Sequence, residues 1–305
     1  MGIRIARPEN RRAAFGVLTI LEVTMNMPTR EQIVEIFAKA IDGGYAIPHI
    51  NHSDYGDLIA IAEAGREAGT PIMAAGTPMT TSVMGFKKIS AIAHLLAEEG
   101  DTPFIIHCDH CPDPALCKQA IDAGYNSVMI DASDKPLDEN IAIVKDIVDY
   151  AHARGVFVEA EVGHVAHGEG SSWDASVDEA VKLVSATGVD ALAIAMGSEH
   201  GFYKELPKLN FDLAAQVHEA LPTTPLVLHG GSGIPADDVR HAIASGIRKV
   251  NVGTDVRCTY VAGLRDAIAE MGIERHTQDI IAFAQARAKE KIFDVIDMCG
   301  SRGKA

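Results

Sequence analysis

At 305 residues, with 47% hydrophobic and 23% charged positions, the chain has enough apolar material for a large core, and its length suits one α/β barrel domain or two smaller domains. The formal net charge of −15 argues against nucleic acid or an anionic membrane surface as a partner, since neither attracts an acidic protein. A small phosphorylated ligand stays open, because glycine-rich loops and helix N-termini bind phosphate through backbone N–H groups.

No stretch reaches the roughly eighteen apolar residues that a membrane helix needs. The apolar segment 13–25 follows arginines, as in a signal peptide, but Glu22 interrupts it and no small-residue cleavage site follows. We therefore expect a cytoplasmic protein.

The five cysteines form no disulfide framework, which fits a reducing compartment. The CxxC at 108–111 has no second pair to complete a structural zinc site, so we interpret its cysteines as small apolar residues beside a strand end.

In chain order, eight short apolar segments are predicted to be strands, and they recur at regular intervals. They are 45–50, 71–76, 104–109, 127–131, 156–162, 191–196, 226–230 and 249–254. The intervals carry helical periodicity, and several of these helices end in glycine, a common C-cap; examples are 30–44, 57–69, 114–124, 140–155 and 178–188. Thr29 is predicted to cap the first helix, with Gln32 completing a capping box.

Strand–helix alternation repeated eight times, with nearly continuous apolar strands, predicts an α/β fold of the (β/α)₈ TIM-barrel type. A doubly wound open sheet is the alternative, but no GxGxxG follows the first strand. We expect a single domain over residues 1–305, with an atypical N-terminal segment at 1–28 and a helical tail from about 276 to 297, because no linker divides the chain. Active sites of such barrels lie at the C-terminal ends of the strands, where polar side chains gather in this sequence.

Three of the apolar segments lead into a histidine beside glycine or an acidic residue, namely His110, His200 and His229. If these rings converge above a barrel, they would leave a tetrahedral zinc ion one open position, as catalytic zinc requires. For any one of them, an ordinary hydrogen-bonded loop residue is the alternative. Asp109 directly precedes His110 and would relay a proton to or from a metal-held substrate, or support a histidine.

Two glycine-containing segments follow the seventh and eighth predicted strands, where phosphate commonly binds in this architecture. They are HGGSG (229–233) and NVGT (251–254). Their glycines let backbone N–H groups approach an anion, and Ser232 and Thr254 add hydroxyl donors. GGSG alone is a common turn, but its pairing with NVGT favours a phosphate site.

Acidic residues end the fourth and fifth predicted strands and also lie in a polar, glycine-containing loop. Asp131 and Glu161 would hold a second cation or brace the histidines, or else cap a helix or form a salt bridge. Loop 164–174 lacks periodicity, as a mobile lid would, and Glu169 within it would exchange a proton once the lid closes. A solvated loop acid is the alternative for Glu169.

Taken together, these motifs resemble the class II, zinc-dependent ketose-bisphosphate aldolases, the family of fructose- and tagatose-bisphosphate aldolases. AAGTP and MCGS are closer to the tagatose-type branch. The matching segments span nearly the whole chain and are GGYAIPHIN (43–51), AAGTP (74–78), HCDH (107–110), SVMIDAS (127–133), VEAEVG (158–163), MGSEHGFY (196–203), LVLHGGSG (226–233), KVNVGTD (249–255) and MCGS (298–301).

The resemblance implies an aldehyde-lyase that reversibly cleaves a ketose phosphate, such as fructose or tagatose 1,6-bisphosphate, to dihydroxyacetone phosphate and an aldehyde. By this resemblance His110, His200 and His229 would bind the catalytic Zn²⁺. Asp109 would exchange the proton of the C4 hydroxyl, and Glu169 would reprotonate the enediolate from the mobile loop.

The resemblance also implies further ligands and partners. Asp131 and Glu161 match positions that hold a second metal in some relatives, and a monovalent cation, Na⁺ or K⁺, would be an additional cofactor. A homodimer or homotetramer would be usual. The dihydroxyacetone-phosphate half of the substrate would be held by Asn51, Gly201, Gly230, Gly231, Ser232, Asn251, Val252, Gly253 and Thr254.

The first strand departs from the family, since relatives more often read PAFN where this chain has PHIN followed by His52. His49 and His52 thus bring unusual imidazoles to the barrel mouth. Loop 164–174 lacks the common glycine pair, and residues 1–28 match nothing in the family. Because these changes lie on the aldehyde side, an aldolase for a sulfonated, deoxy or otherwise altered sugar phosphate is an alternative.

Two other functions stay open beside this reaction. A metal-dependent sugar-phosphate isomerase or epimerase would use the same enediolate without breaking a carbon–carbon bond. A non-catalytic sugar-phosphate binder would retain the site without its chemistry. A Schiff-base aldolase is disfavoured, because it needs a lysine at the C-terminal end of a strand and Lys249 is predicted to begin its strand.

Overall fold

The computed structural model describes residues 27–164, 174–201, 203 and 205–305. Within them, eight parallel strands close into a barrel in sequence order, so that the last strand pairs with the first. This arrangement confirms the predicted (β/α)₈ TIM barrel and excludes the open sheet. The strands are β1 (Ile47–Asn51), β2 (Ile72–Gly76), β3 (Phe104–Cys111), β4 (Ser127–Ile130), β5 (Phe157–Val162), β6 (Ala191–Ile194), β7 (Leu226–Leu228) and β8 (Ile247–Val252).

Eleven helices surround the barrel in the described part of the chain, and none of them is long and apolar enough to cross a membrane. Two helices follow β2 and two follow β8, the last of which is the predicted helical tail. The helices are α1 (Arg30–Gly43), α2 (Tyr55–Ala68), α3 (Pro78–Met84), α4 (Phe86–Ala97), α5 (Pro114–Asp122), α6 (Leu137–His152), α7 (Val177–Thr187), α8 (Phe211–Ala220), α9 (Ala236–Ala244), α10 (Thr254–Met271) and α11 (Thr277–Cys299).

Helix α1 closes the N-terminal end of the barrel. Thr29 and Gln32 form the predicted capping box, each side chain accepting a hydrogen bond from the backbone N–H of the other. The buried face of α1 belongs to one apolar cluster with the first residues of several strands, including Ile47. Phe37 stacks on Phe157 there, with ring centroids 5.3 Å apart. Because this end is filled by apolar side chains, the polar residues of the strands gather at the opposite end.

Lys249 lies differently from the prediction, which placed it at the start of the eighth strand. Strand β8 begins two residues earlier, at Ile247, and the charge of Arg248 is accommodated there because its guanidinium donates to the carbonyl oxygens of Ile243 and Ile247. Lys249 is fully buried inside the barrel and donates to Glu159 Oε2 at 2.6 Å. It does not line the cavity described below, and no strand within the described residues ends in lysine.

Predicted and observed strand ends also differ at β3 and β7. Strand β3 runs on to Cys111, and its register with β4 is irregular between Cys108 and Cys111. Strand β7 ends at Leu228, so that His229 and Gly230 belong to the following loop. Cys108 and Cys111 are free and buried, in agreement with their interpretation as small apolar residues.

Candidate active site

A cavity of about 530 Å³ lies at the C-terminal end of the barrel. Its wall is built by the last residues of the strands, the loops that follow them, α3 and the first turn of α10. Most of the predicted site residues line it, namely Asn51, Asp109, His110, His200, Gly201, Gly230, Ser232, Asn251, Gly253 and Thr254. Five others do not line it: Asp131, Glu161, His229, Gly231 and Val252.

The three histidines predicted as metal ligands come together beside this cavity. The ring centroids of His110 and His229 are 4.4 Å apart, those of His110 and His200 4.7 Å, and those of His200 and His229 5.9 Å. One nitrogen of each ring lies within 4.8 Å of the others. This spacing suits three imidazoles around a single ion, although metal binding itself stays a prediction.

The backbone and a carboxylate together orient the ring of His110. This residue has a φ of 45°, the one positive φ at a non-glycine position among the described residues, and it follows the register irregularity of β3. A left-handed backbone is costly for a residue with a Cβ, so the conformation marks a constrained position. His110 Nδ1 donates to Asp131 Oδ2 at 2.8 Å, which leaves Nε2 for a ligand.

Glu159 orients the ring of His229, and it is a site residue that sequence reasoning missed. Its Oε1 accepts from His229 Nε2 at 2.9 Å, so His229 presents Nδ1 to His110 Nε2, 2.6 Å away. Burial opposes ionisation of Glu159, but the Lys249 ammonium and the His229 hydrogen bond hold its pKa well below the ordinary value. Strand alternation could have identified it, because Glu159 and Glu161 share one face of β5.

The carboxylates near the histidines create a field that favours a cation. Burial opposes protonation of His110, yet Asp109 and Asp131 raise the pKa of His110 to about 10. A divalent ion would be stabilised by the same field. His110 Nε2 and His229 Nδ1 face each other, and the other nitrogen of each ring is hydrogen-bonded to a carboxylate. Metal-binding histidines commonly have this arrangement. The residues present therefore fit a divalent metal.

Asp131 and Glu161 form a second candidate metal group with His110, in which the ligand atoms lie within 4.8 Å of one another. Asp131 Oδ1 also accepts from the Ser133 hydroxyl at 2.7 Å, and this hydroxyl lies 2.8 Å from His164 Nδ1. His164 directly precedes segment 165–173. That segment, which includes the predicted proton donor Glu169, lies outside the described residues.

Asp109 is buried next to the histidines and lines the cavity. Asn51 Nδ2 donates to its Oδ2 at 2.7 Å, and His49 Nε2 lies 3.6 Å from the same oxygen. Its Oδ1 has no hydrogen-bond partner within the described residues. Burial opposes ionisation of Asp109, but the imidazoles of His110 and His49 hold its pKa well below the ordinary value. An ionised carboxylate with one unbonded oxygen beside a cavity can accept a proton from a ligand hydroxyl.

The predicted phosphate loops contribute the wall on the β7 and β8 side. Gly230 has a φ of 66°, and a Cβ there would collide with the carbonyl oxygen of Glu199, so this position requires glycine. Ser232 is buried at the cavity, and Gly253 and Thr254 form the N-terminal end of α10. Backbone N–H groups at a helix N-terminus attract phosphate, which suits the predicted role of these loops.

Gly231 and Val252, although predicted to contact substrate, lie behind the cavity surface. The N–H of Gly231 donates to the carbonyl oxygen of Asn251 at 2.8 Å, and a Cβ on Gly231 would lie 2.7 Å from that oxygen. Val252 is the buried last residue of β8. Both residues shape the two loops by holding them against each other.

Tyr203 is a second residue that sequence reasoning did not assign. Its hydroxyl donates to the carbonyl oxygen of Gly230 at 2.7 Å and accepts from the N–H of Glu199 at 2.9 Å. These bonds connect the loop that carries His200 to the loop that carries Gly230. The only sequence signal was its place in the segment MGSEHGFY, which does not reveal a contact with another loop.

His49, in β1, and His52, in the loop after β1, are both buried, and of the two only His52 lines the cavity. His49 lies inside the barrel beside His107, with ring centroids 5.3 Å apart. His107 also packs inside the barrel, its Nδ1 lying 2.7 Å from Ser127 Oγ.

Fold and site together define a (β/α)₈-barrel enzyme with three convergent histidines, an adjacent carboxylate and two glycine loops at the mouth. The model of the family "Fructose-bisphosphate aldolase class-II" matches residues 31–304. The chain belongs to this family and is an aldolase, a lyase that acts on a carbon–carbon bond. The family implies a sugar phosphate as substrate.

Two relatives support this assignment. The chain is 38% identical over 278 residues to the 6-phospho-5-dehydro-2-deoxy-D-gluconate aldolase of Bacillus licheniformis, which covers 89% of this chain and 95% of that protein. The crystal structure of the YdjI aldolase from Escherichia coli K12 superposes with a TM-score of 0.80 at 32% identity, covering 90% of this chain and 98% of that one. Fructose-bisphosphate aldolase of Campylobacter jejuni shares the fold, with a TM-score of 0.79 at 19% identity over 92% of this chain and 97% of that one.

Proposed function

We propose that this enzyme reversibly cleaves a ketose phosphate into dihydroxyacetone phosphate and an aldehyde, with Zn²⁺ as its metal. One observation carries the proposal. His110, His200 and His229 offer ligand atoms within 4.8 Å of one another, and Asp109 lies beside them on the wall of the same cavity.

His110, His200 and His229 would hold the zinc ion, with Asp131 and Glu159 keeping two of the rings in orientation. A divalent metal supplies electrophilic stabilisation of the negative charge that develops on the ketose oxygen as the C3–C4 bond breaks. Three neutral imidazoles with an open fourth position are typical of catalytic zinc.

Asp109 would act as the base in the cleavage direction. It takes the proton of the C4 hydroxyl, the C4–O bond becomes the aldehyde carbonyl, and the electron pair of the C3–C4 bond stays with the dihydroxyacetone-phosphate half. The bond from Asn51 to Oδ2 holds the carboxylate in place, so that Oδ1 is left for the hydroxyl. Glu169, outside the described residues, would then protonate the three-carbon fragment.

The phosphate of the three-carbon half would bind between the two glycine loops. The backbone at Gly230, the hydroxyl of Ser232 and the N-terminal end of α10 at Gly253 and Thr254 lie on one wall of the cavity. Phosphate held there fixes one end of the substrate, so that its carbonyl end is directed to the histidines. Gly201 and Asn251 would complete this half of the site.

The identity of the aldehyde half is open to direct assay. The relative from Bacillus licheniformis is named for a phosphorylated deoxy-gluconate, a ketose phosphate that ends in a carboxylate. A panel of substrates should therefore include this compound beside fructose and tagatose 1,6-bisphosphates and sulfonated analogues.

The role of Asp109 is tested by Asp109→Asn, which keeps the size of the side chain and removes its basicity. We expect kcat for cleavage to fall by about 10²–10⁴-fold, because general base catalysis is lost, while zinc content per chain stays unchanged. Release of triose phosphate, followed with a coupled reductase, measures the cleavage. Asp134→Asn, at an exposed acid paired with Lys135, is the matched control.

The metal is tested by chelation. Activity lost to a chelator should return on addition of Zn²⁺, and metal analysis should find zinc in the active protein. Full activity of Asp109→Asn, or of protein stripped of metal, would refute the proposed mechanism. Conversion of substrate without triose phosphate release would instead indicate an isomerase or epimerase.

A further inference from the structure

A continuous line of hydrogen bonds crosses the ends of three neighbouring strands and finishes at a proposed metal ligand. That ligand, His110, lies in β3. Asp131 and Ser133 follow β4, and His164 follows β5. These strands are adjacent in the barrel, since β4 pairs with both β3 and β5. Ser133 and His164 have no part in the proposed function.

Asp131 is fixed by three hydrogen bonds, two of which come from Ser133. Its Oδ2 accepts from His110 Nδ1 at 2.8 Å. Its Oδ1 accepts from the Ser133 hydroxyl at 2.7 Å and from the Ser133 backbone N–H at 3.1 Å. Because both oxygens are bonded, the plane of the carboxylate is determined, and with it the direction in which His110 presents Nε2.

The direction of each hydrogen bond follows from the number of protons available. Ser133 has one hydroxyl proton, which it donates to Asp131, so its oxygen can only accept from His164 Nδ1, 2.8 Å away. His164 therefore donates to Ser133, and Ser133 donates to Asp131. Hydrogen bonds aligned in this way polarise one another, so the serine hydroxyl binds the carboxylate more strongly when the imidazole donates to it.

Burial determines how much each of these bonds matters. Ser133 is 4% exposed, and the side chain of Asp131 is 15% exposed. Water is therefore a poor substitute for a lost serine hydroxyl, and the carboxylate oxygen would lose a bond that solvent does not fully replace. His164 is partly exposed, so we expect its loss to have the smaller effect.

We infer that Ser133 and His164 are positioning residues for the metal site, and that they hold Asp131 in the orientation that directs the His110 ring at the ion. The inference rests on the proposed function, because it requires a metal bound by His110. Glu159 of β5 orients a second ring, so β5 and the residues that follow it would support two of the three proposed ligands.

Titration of metal-free protein with Co²⁺, followed by its visible absorption, measures the affinity and the number of ions bound without substrate. We expect Ser133→Ala to weaken Co²⁺ binding by about tenfold, and His164→Leu to weaken it by a smaller factor. His164→Asn should stay close to the wild-type affinity, because its amide can donate from the position of Nδ1. Ser185→Ala and His276→Leu, at exposed residues that do not line the cavity, are the matched controls.

Combined substitutions distinguish action through Asp131 from a general structural effect. In an Asp131→Ala background, Ser133→Ala should cause no further loss of Co²⁺ affinity, because the carboxylate that it positions is absent. In a Glu159→Gln background it should keep its full effect, because Glu159 orients a different ring. A full additional loss in the Asp131→Ala background would overturn the inference.

Two further outcomes would also overturn it. In one, Ser133→Ala binds Co²⁺ as tightly as Ser185→Ala. In the other, Ser133→Ala loses one of two bound ions while its affinity for the remaining ion is unchanged, which would make Asp131 a ligand of a second ion. Should Ser133→Ala not fold, equal affinities of His164→Leu and His164→Asn would overturn it. Absence of Co²⁺ binding by the wild-type protein, or unchanged binding in His110→Ala, would refute the proposed function instead.

Discussion

At the barrel mouth, two imidazole rings are each oriented by a hydrogen bond to a carboxylate. Asp131 bonds the Nδ1 of His110, and Glu159 bonds the Nε2 of His229, so the two rings present different nitrogens to each other. Glu159 in turn receives the ammonium of Lys249, which is buried in the barrel interior. The orientation of a proposed metal ligand therefore depends on an ion pair that no solvent reaches.

Glu159→Gln tests this dependence, because it removes the charge and nearly keeps the shape. We expect zinc affinity to fall by about 10–100-fold as His229 loses its anionic partner. We also expect a lower free energy of unfolding, since Lys249 would lose its counterion in the interior. Competition with a chelator measures the affinity, and thermal unfolding of metal-free protein measures the stability. Asp138→Asn, which breaks an exposed pair with Lys182, is the control, and zinc binding equal to that control would contradict the role of Glu159.

Among single residues, the sequence identifies those whose position at the end of a strand already indicates a role in the site. A histidine after a buried apolar run is conspicuous, and the rings of His110, His200 and His229 do come together. Strand alternation places Glu159 on the same face of β5 as Glu161, but neither its hydrogen bond to His229 nor the role of Tyr203 could be assigned in this way. Their contributions depend on which nitrogen or carbonyl oxygen they meet across the barrel, and such contacts leave no local pattern.

Among the elements, the loops after β6, β7 and β8 determine the shape of the proposed phosphate site. Gly230 adopts a left-handed backbone directly under the carbonyl of Glu199, and Gly231 is bonded to Asn251 of β8. Tyr203 adds the bond from the β6 side. The glycines therefore allow close contact between loops as well as access for an anion.

Two glycines with nearly the same φ allow the cost of a left-handed backbone to be distinguished from the cost of a steric collision. Gly155 has a φ of 69°, and a Cβ added there would meet nothing within 4 Å, whereas a Cβ on Gly230, at 66°, would meet Glu199. Gly155→Ala should cost about 1–2 kcal/mol of stability through strain alone. Gly230→Ala should cost more and should raise KM for dihydroxyacetone phosphate, because the loop must move. Urea unfolding and saturation kinetics measure both effects, and equal losses with an unchanged KM would contradict the role of Gly230.

All eight strands could be located from the sequence, because barrel strands are buried on both faces and appear as apolar runs. Their ends could not be located as well. Strand β3 continues through His110 by way of an irregular register, which depends on pairing with β4. Strand β8 includes Arg248, which donates to the carbonyl oxygens of Ile243 and Ile247, and Lys249, which donates to Glu159 of β5. Tertiary contacts of this kind override local polarity.

For the whole molecule, the two ends of the barrel have separate tasks. The N-terminal end is filled by α1 and the first residues of the strands, and the C-terminal end carries the cavity. We therefore expect the stability gained at the closed end to be independent of the residues of the site. The expected homodimer or homotetramer stays a prediction.

Phe37→Ala tests this separation at the closed end. Phe37 is 1% exposed and stacks on Phe157, so its truncation should cost about 3–5 kcal/mol. At a temperature where the variant is folded, kcat should remain close to the wild-type value. Leu95→Ala, at a side chain that is 62% exposed on α4, is the control for loss of an apolar residue. A fall in kcat that follows the loss of stability would show that the two ends are coupled.

The hydrogen bonds of Tyr203 would couple the binding of the metal to the binding of the substrate. One phenol joins the loop of a proposed metal ligand to the loop of the proposed phosphate site. A sugar phosphate that immobilises one loop would immobilise the other, and thermodynamic reciprocity then requires each ligand to tighten the binding of its counterpart. Substrate present in excess would thereby protect the enzyme from demetallation.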